Sequence, residues 1–198
     1  MKDKYSFTAK WLWLLFLVVI PLNIFDILTT NIFATPLPFL SKIGSFGIIF
    51  CNLFCGFILL KLSTEYDFYK IAGVTYIFST LINAWLNFVN GGPLEFGITD
   101  GFAFGSFAFS FIGIVCNIII IFYETNGHAY LLDRYDYELS SKWDKLRTWY
   151  IISYCGAGAS VAIVFIFPLI GLLIMIASLI ANIVLSILRY VYLYKTAK

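Results

Sequence analysis

Long apolar segments alternate with short polar ones along the 198-residue chain. A helix needs about 20 apolar residues to cross the hydrocarbon core of a membrane, and six stretches are of that order. Backbone polar groups cannot stay unpaired in lipid, so each stretch is expected to be an α-helix. The pattern predicts an all-α polytopic membrane protein, a six-transmembrane-helix bundle that forms a single transmembrane domain over residues 1–198. The predicted spans cover residues 11–33, 43–60, 71–89, 102–123, 149–167 and 169–188.

One polar connection, residues 124–148, is much longer than the others. Within it and just beyond it, apolar side chains recur at helical spacing while most of the acidic ones fall off that face. The pattern predicts a cytoplasmic amphipathic helix between helices 4 and 5 that lies on the membrane surface. A solvated helical loop is the alternative. The apolar positions are Leu132, Leu139, Trp143, Leu146 and Tyr150.

The basic residues orient the bundle. With the N-terminus inside, Lys42 is the one Lys or Arg, of 13 in the chain, that falls on the outer side. Cytoplasmic loops carry an excess of Lys and Arg, so both termini are predicted to be cytoplasmic in a multi-pass protein of the cell membrane. Composition agrees, because 61% of the residues are hydrophobic and 12% are charged, whereas soluble domains carry about 25% charged residues.

Polar residues inside the spans are the strongest functional candidates, because they are costly in lipid and usually face the bundle interior. The third span has the clearest polar face, with Thr75, Ser79, Asn83 and Asn87 at intervals of four. Such a face indicates either helix packing or a polar path between helices. The candidate path residues are Asn23, Asp26, Asn52, Asn83, Asn87, Asn117 and Asn182.

Two further patterns bear on these candidates. Asn52, Asn117 and Asn182 are spaced 65 residues apart, which suggests three related helix hairpins. Asp26 is the one carboxylate well inside a predicted span. It is expected either to bind a cation or proton or to accept hydrogen bonds near the outer interface.

The sequence lacks the common motifs of catalytic and metal-binding sites. Its single histidine, His128, excludes a catalytic triad inside the membrane and the two-histidine zinc-protease motif. The four cysteines lie in apolar segments without metal-ligand spacing. We therefore expect no enzyme activity, no catalytic residues, no metal and no cofactor, and the absence of a basic cluster argues against nucleic acid.

A small titratable cluster is possible where the fourth span ends. Glu124 and His128 flank that end, and Asp133 and Asp136 follow in the loop. Residues of this kind are more commonly solvated, which is the alternative interpretation.

The length and predicted topology resemble those of the substrate-binding components of energy-coupling-factor vitamin transporters. The resemblance rests on helix number and implies a solute-binding membrane subunit. Those components carry an Ala-rich first helix for docking a partner, whereas residues 11–20 here read Trp-Leu-Trp-Leu-Leu-Phe-Leu-Val-Val-Ile. No residue role is carried over.

The sequence favours a small transport or channel protein with a polar path or pocket for a small neutral or cationic solute. The alternative is a non-transporting accessory, immunity or sensor subunit, and a third possibility is a membrane-embedded lipid enzyme. The expected partners are the lipid bilayer, a small solute, and either further copies of the chain or a membrane partner subunit.

Overall fold

The computed structural model describes residues 2–29, 38–90 and 104–198, and it is all-helical over them, with no strand in those ranges. Six helices occur in these ranges. They are α1 (Lys2–Leu28), α2 (Pro38–Leu62), α3 (Phe68–Asn90), α4 (Phe104–Leu132), α5 (Tyr137–Ile166) and α6 (Pro168–Ala197).

Each predicted span falls largely within one helix, and four helices are long and apolar enough to cross a membrane. This count covers only the described part of the chain. The six-span topology itself remains a prediction. The four segments are Phe7–Leu28, Phe39–Leu62, Ile112–Leu132 and Pro168–Ala197.

The predicted amphipathic helix and the predicted fifth span form one continuous helix, α5. Asp136 caps its start, accepting a hydrogen bond from the backbone N–H of Leu139 at 2.9 Å. Leu139, Trp143 and Leu146 are buried in the protein core, so the apolar face packs on other helices. A separate helix on the membrane surface is therefore not confirmed. The same apolar period arises whether a helix faces lipid or protein, which is why the sequence did not separate the two.

The six helices form a closed ring. Each helix packs against the next one along the chain, and α1 also packs against α6. This order follows from the short connections, because consecutive antiparallel helices are usually neighbours in space.

The hydrophobic core lies at one end of this ring. Core residues come from the start of α1, α3 and α5 and from the end of α2, α4 and α6. We call this the basic end, because the predicted topology places nearly all Lys and Arg residues there, and we call the opposite one the far end. Buried residues at the basic end include Leu12, Leu15, Ile58, Leu59, Leu62, Tyr69, Ala72, Ile121, Leu139, Trp143, Leu146 and Leu193.

Two glycine contacts let the helices approach closely at the basic end. A Cβ atom on Gly127 of α4 would lie 2.6 Å from the Tyr69 ring of α3. A Cβ on Gly73 of α3 would lie 2.8 Å from the carbonyl oxygen of Gly56 in α2. Any larger residue at these positions would push the helices apart. Towards the far end, large apolar side chains such as Ile24 are more than half exposed.

Candidate functional site

A buried ion pair joins α4 and α6 at the basic end. Arg189 Nη2 donates hydrogen bonds to both carboxylate oxygens of Glu124, at 2.7 Å each. The Glu124 side chain is 1% exposed and that of Arg189 is 22% exposed. Arg189 Nη2 also lies 3.4 Å from the Tyr76 hydroxyl of α3. A charge at this depth is tolerated only with a close, hydrogen-bonded partner, so each residue requires the other.

His128 extends this pair towards α3. Its Nε2 lies 3.6 Å from Glu124 Oε1, one turn earlier on α4, and its Nδ1 lies 2.9 Å from the Tyr69 hydroxyl. Both His128 and Tyr69 are fully buried. Nε2 has no hydrogen-bond partner among the described residues. Because a carboxylate can only accept, the arrangement favours the tautomer with the ring proton on Nε2, in which Nδ1 accepts from the Tyr69 hydroxyl. We call Glu124, Arg189, His128, Tyr69 and Tyr76 the ion-pair cluster.

Trp143 of α5 covers the cluster from the remaining side. Its ring stacks obliquely on His128 with centroids 4.5 Å apart, and it is fully buried. Its indole Nε1 donates to Thr196 Oγ1 of α6 at 3.0 Å. Helices α3, α4, α5 and α6 therefore all contribute side chains to one hydrogen-bonded and packed unit. This unit closes the ring at its basic end.

The predicted path residues are not part of this cluster and lie farther from the basic end. Asn23, Asp26, Asn83 and Asn117 are exposed, whereas Asn52 and Asn182 are half-buried. Asn87 belongs to α3, but its side chain lies outside the described residues. The prediction that these side chains line one path therefore stays a prediction.

Two of the amides bond within their own helices. Asn23 Nδ2 donates to the carbonyl of Val19 at 2.7 Å, and Asn182 Nδ2 donates to the carbonyl of Ser178 at 3.0 Å. The Asn182 Oδ1 atom is buried and has no hydrogen-bond partner among the residues that the structure describes. Neither amide hydrogen bond joins two of the predicted residues directly.

Five of the asparagines nevertheless share the same spacing from a core or cluster residue on their own helix. Seven residues make almost two helical turns, so residues seven apart share a face and are separated by about 10 Å. Each of five asparagines stands seven residues farther from the basic end than a residue of the core or of the ion-pair cluster. These pairs are Asn23 with Phe16, Asn52 with Leu59, Asn83 with Tyr76, Asn117 with Glu124, and Asn182 with Arg189.

On α1 and α4 this face changes from buried at the basic end to exposed at the asparagine, whereas Asn52 and Asn182 are half-buried. On α4 the face is closed at Glu124, which is 1% exposed, and open at Asn117, which is exposed. Gly113 continues that face by one more turn, and a Cβ atom added to it would meet no atom of the described residues within 4 Å. On α4, the face that packs tightly at the basic end is therefore not covered by other described residues at Asn117 and Gly113.

The sequence placed Glu124 and His128 together but not their partners. Asp133 and Asp136, the other expected members, are exposed, and Asp136 caps α5 instead. Arg189 was missed as a partner because it lies 65 residues from Glu124. The available signal was that this spacing equals the interval between Asn117 and Asn182 on the same two helices.

Comparisons with known proteins add no family. No protein-family model, curated protein or solved structure matches the chain. The likeness to energy-coupling-factor components therefore remains one of predicted helix number and length.

Proposed function

We propose that the protein is a small multi-pass transport protein of the cell membrane, with six spans and both termini in the cytoplasm. In this proposal the basic end faces the cytoplasm, and the far end encloses a water-filled polar vestibule for a small neutral or cationic solute. The observation that carries the proposal is the change on α1 and α4 from a residue buried at the basic end to an exposed asparagine seven residues farther from that end. On α4 this is the step from Glu124 to Asn117.

The energetics of polar groups support water rather than lipid in front of these faces. Asp26 and Asn23 are exposed, and they lie on the α1 face that buries Leu12, Leu15 and Phe16 at the basic end. A carboxylate facing hydrocarbon costs about 3 kcal/mol or more at the middle of a span. A carboxylate in a water-filled vestibule avoids this cost, and it can bind a cation.

The solute class follows from the groups that would line the vestibule. The predicted lining is amide-rich, with hydrogen-bond donors and acceptors but a single fixed negative charge, at Asp26. Amides bind neutral polar solutes, and one carboxylate adds a preference for positive charge over negative.

The ion-pair cluster would act as the cytoplasmic closure. A solute that leaves the vestibule towards the cytoplasm must pass the level at which Arg189 and Glu124 are 2.7 Å apart and Trp143 is fully buried. Passage therefore requires α4 and α6 to separate there. In this proposal, the described arrangement would be the outward-open member of an alternating-access pair. At this size the chain is proposed to act as an oligomer or with a membrane partner subunit.

Solute flux into vesicles tests the proposal. The purified full chain would be reconstituted and assayed with potassium, guanidinium, choline, glycerol and urea. We expect flux of at least one of these solutes, with any cation flux reduced about tenfold or more in Asp26→Asn. Asp133→Asn serves as the matched control, because it removes an exposed acid at the opposite end. Absence of flux through the unmodified protein for the whole panel would reject transport of small neutral or cationic solutes.

A further inference from the structure

An apolar groove runs along the seam between α5 and α6, with a volume of about 460 Å³. This size falls within the range of small-molecule pockets, roughly 300–1,000 Å³. The groove is lined on α5 by Trp149, Ile152 and Gly156 and on α6 by Ile174, Ala177 and Ala181, among others. Small residues keep it open, and the proposed topology places it within the membrane.

A second cavity continues the same seam at the basic end. It measures about 410 Å³, and Lys142 of α5 and Lys195 of α6 both line it. One face of α5 carries residues at intervals of seven, namely Lys142, Trp149 and Gly156. One face of α6 has the same spacing, with Ala181, Leu188 and Lys195. The apolar groove and the lysines therefore lie on the same two helix faces, about 10 Å apart per step.

The charges at this cavity favour an anion. Asp136 and Glu138 also line it, but Asp136 caps α5 and Glu138 forms an ion pair with Lys142. That hydrogen bond raises the pKa of the Lys142 ammonium group, which therefore stays charged. Lys195 and Lys198 also line the cavity and are exposed, so three lysines stand against two carboxylates there. Lys145, one turn along α5 from Lys142, is exposed as well, and positive charge is therefore in excess around the mouth.

We propose that the α5–α6 seam binds an anionic phospholipid from the membrane leaflet at the basic end. An acyl chain lies in the apolar groove beside Trp149, and the phosphate group lies against Lys142 and Lys195. Aromatic residues such as Trp149 are typical of the level at which chains meet headgroups. Clustered lysines at that level attract anionic lipids. The inference rests on the proposed topology and is independent of transport.

Native mass spectrometry of the detergent-solubilised full chain tests this, with dioleoylphosphatidylglycerol and dioleoylphosphatidylcholine as the probes. We expect the anionic lipid to bind at least tenfold more tightly. Lys142→Gln/Lys195→Gln is expected to lower its affinity by about 25-fold, or about fivefold for each lysine. Lys61→Gln/Lys70→Gln removes two exposed lysines from the same end but from α2 and α3, and it should leave the affinity unchanged.

A groove-filling variant separately tests whether an acyl chain lies in the apolar groove. Ala177→Leu narrows the groove and is expected to weaken both lipids at least fivefold, whereas Gly158→Leu, at an exposed α5 position with open space around it, should not. Equal affinity for the two lipids would overturn the proposal. An equal loss of affinity for the anionic lipid in the two double-lysine variants would overturn it as well. Displacement of the lipid by glycerol 3-phosphate would instead indicate a free-phosphate site. Assembly into dimers that Ala177→Leu abolishes would assign the groove to a second copy. None of these outcomes bears on solute flux.

Discussion

Replacing Arg189 with methionine tests whether the ion pair holds the basic end closed. The substitution keeps an unbranched apolar stem and removes the guanidinium, so Glu124 loses both of its 2.7 Å hydrogen bonds. Its carboxylate is 1% exposed and water cannot replace the lost partner. His128 is the nearest remaining donor, and its Nε2 is 3.6 Å away.

The expected magnitude follows from the geometry. Two unit charges about 4 Å apart attract by about 4 kcal/mol at the effective dielectric constant of about 20 that suits such sites. Leaving one member of a buried pair without its partner costs about 3–5 kcal/mol. We expect Arg189→Met to lower the free energy of unfolding by this amount. Glu124→Gln should cost less, because the Arg189 side chain is 22% exposed and retains access to water.

Reversible unfolding in mixed micelles with increasing denaturing detergent measures these changes. The double variant Glu124→Gln/Arg189→Met should be less destabilised than the sum of the two single variants, because it leaves no unpaired charge. Lys142→Gln is the control, since its ion pair with Glu138 is at the surface and contributes about 1 kcal/mol or less. A loss below about 1 kcal/mol for Arg189→Met, or strict additivity of the two variants, would refute the reasoning.

Two packing predictions concern the neighbours of the pair. Gly127→Ala places a Cβ 2.6 Å from the Tyr69 ring and should cost about 1–3 kcal/mol by overpacking. Gly158→Ala, where a Cβ meets no described residue within 4 Å, should stabilise by up to about 1 kcal/mol. Thermal unfolding measures both changes, and equal shifts in melting temperature would contradict the close approach at Gly127. Trp143→Phe removes the 3.0 Å bond to Thr196 and part of a fully buried ring, and it should cost about 1–3 kcal/mol. The Thr196 hydroxyl keeps its own hydrogen bond to the Tyr192 carbonyl. An unchanged melting temperature would show that neither the lost bond nor the lost packing contributes.

The apolar runs were sufficient to predict the helices, because a run of that length has no other stable form in lipid. They could not predict that α5 runs unbroken from Tyr137 to Ile166. The amphipathic pattern around Trp143 specifies a buried face, but it does not specify what buries it.

The placement of the polar residues, too, could be predicted only in part from the sequence. Spacing alone predicted that Asn117 and Asn182 face the bundle interior, at the same seven-residue offset from Glu124 and Arg189. In the structure Asn117 is exposed and Asn182 is half-buried, so the prediction stays a prediction. The pairing of Glu124 with Arg189 depends on how α4 and α6 meet in space. A long-range contact of this kind leaves no periodic trace within either helix.

Water accessibility at one depth tests the central claim, that the interior faces border a polar vestibule open to the outside. Asn117 and Val115 are two residues apart on α4 and on opposite faces, and both are exposed. In a background without native cysteines, Asn117→Cys and Val115→Cys would be treated in sealed vesicles with a membrane-impermeant thiol reagent.

The vestibule predicts fast labelling of Cys at position 117 from the outside and little labelling at position 115, because a lipid-facing thiol meets no water. Asn83 and Leu81 form the equivalent pair on α3 and should behave in the same way. Equal protection of all four positions, or labelling of position 117 only from the cytoplasmic side, would contradict an outward-open vestibule.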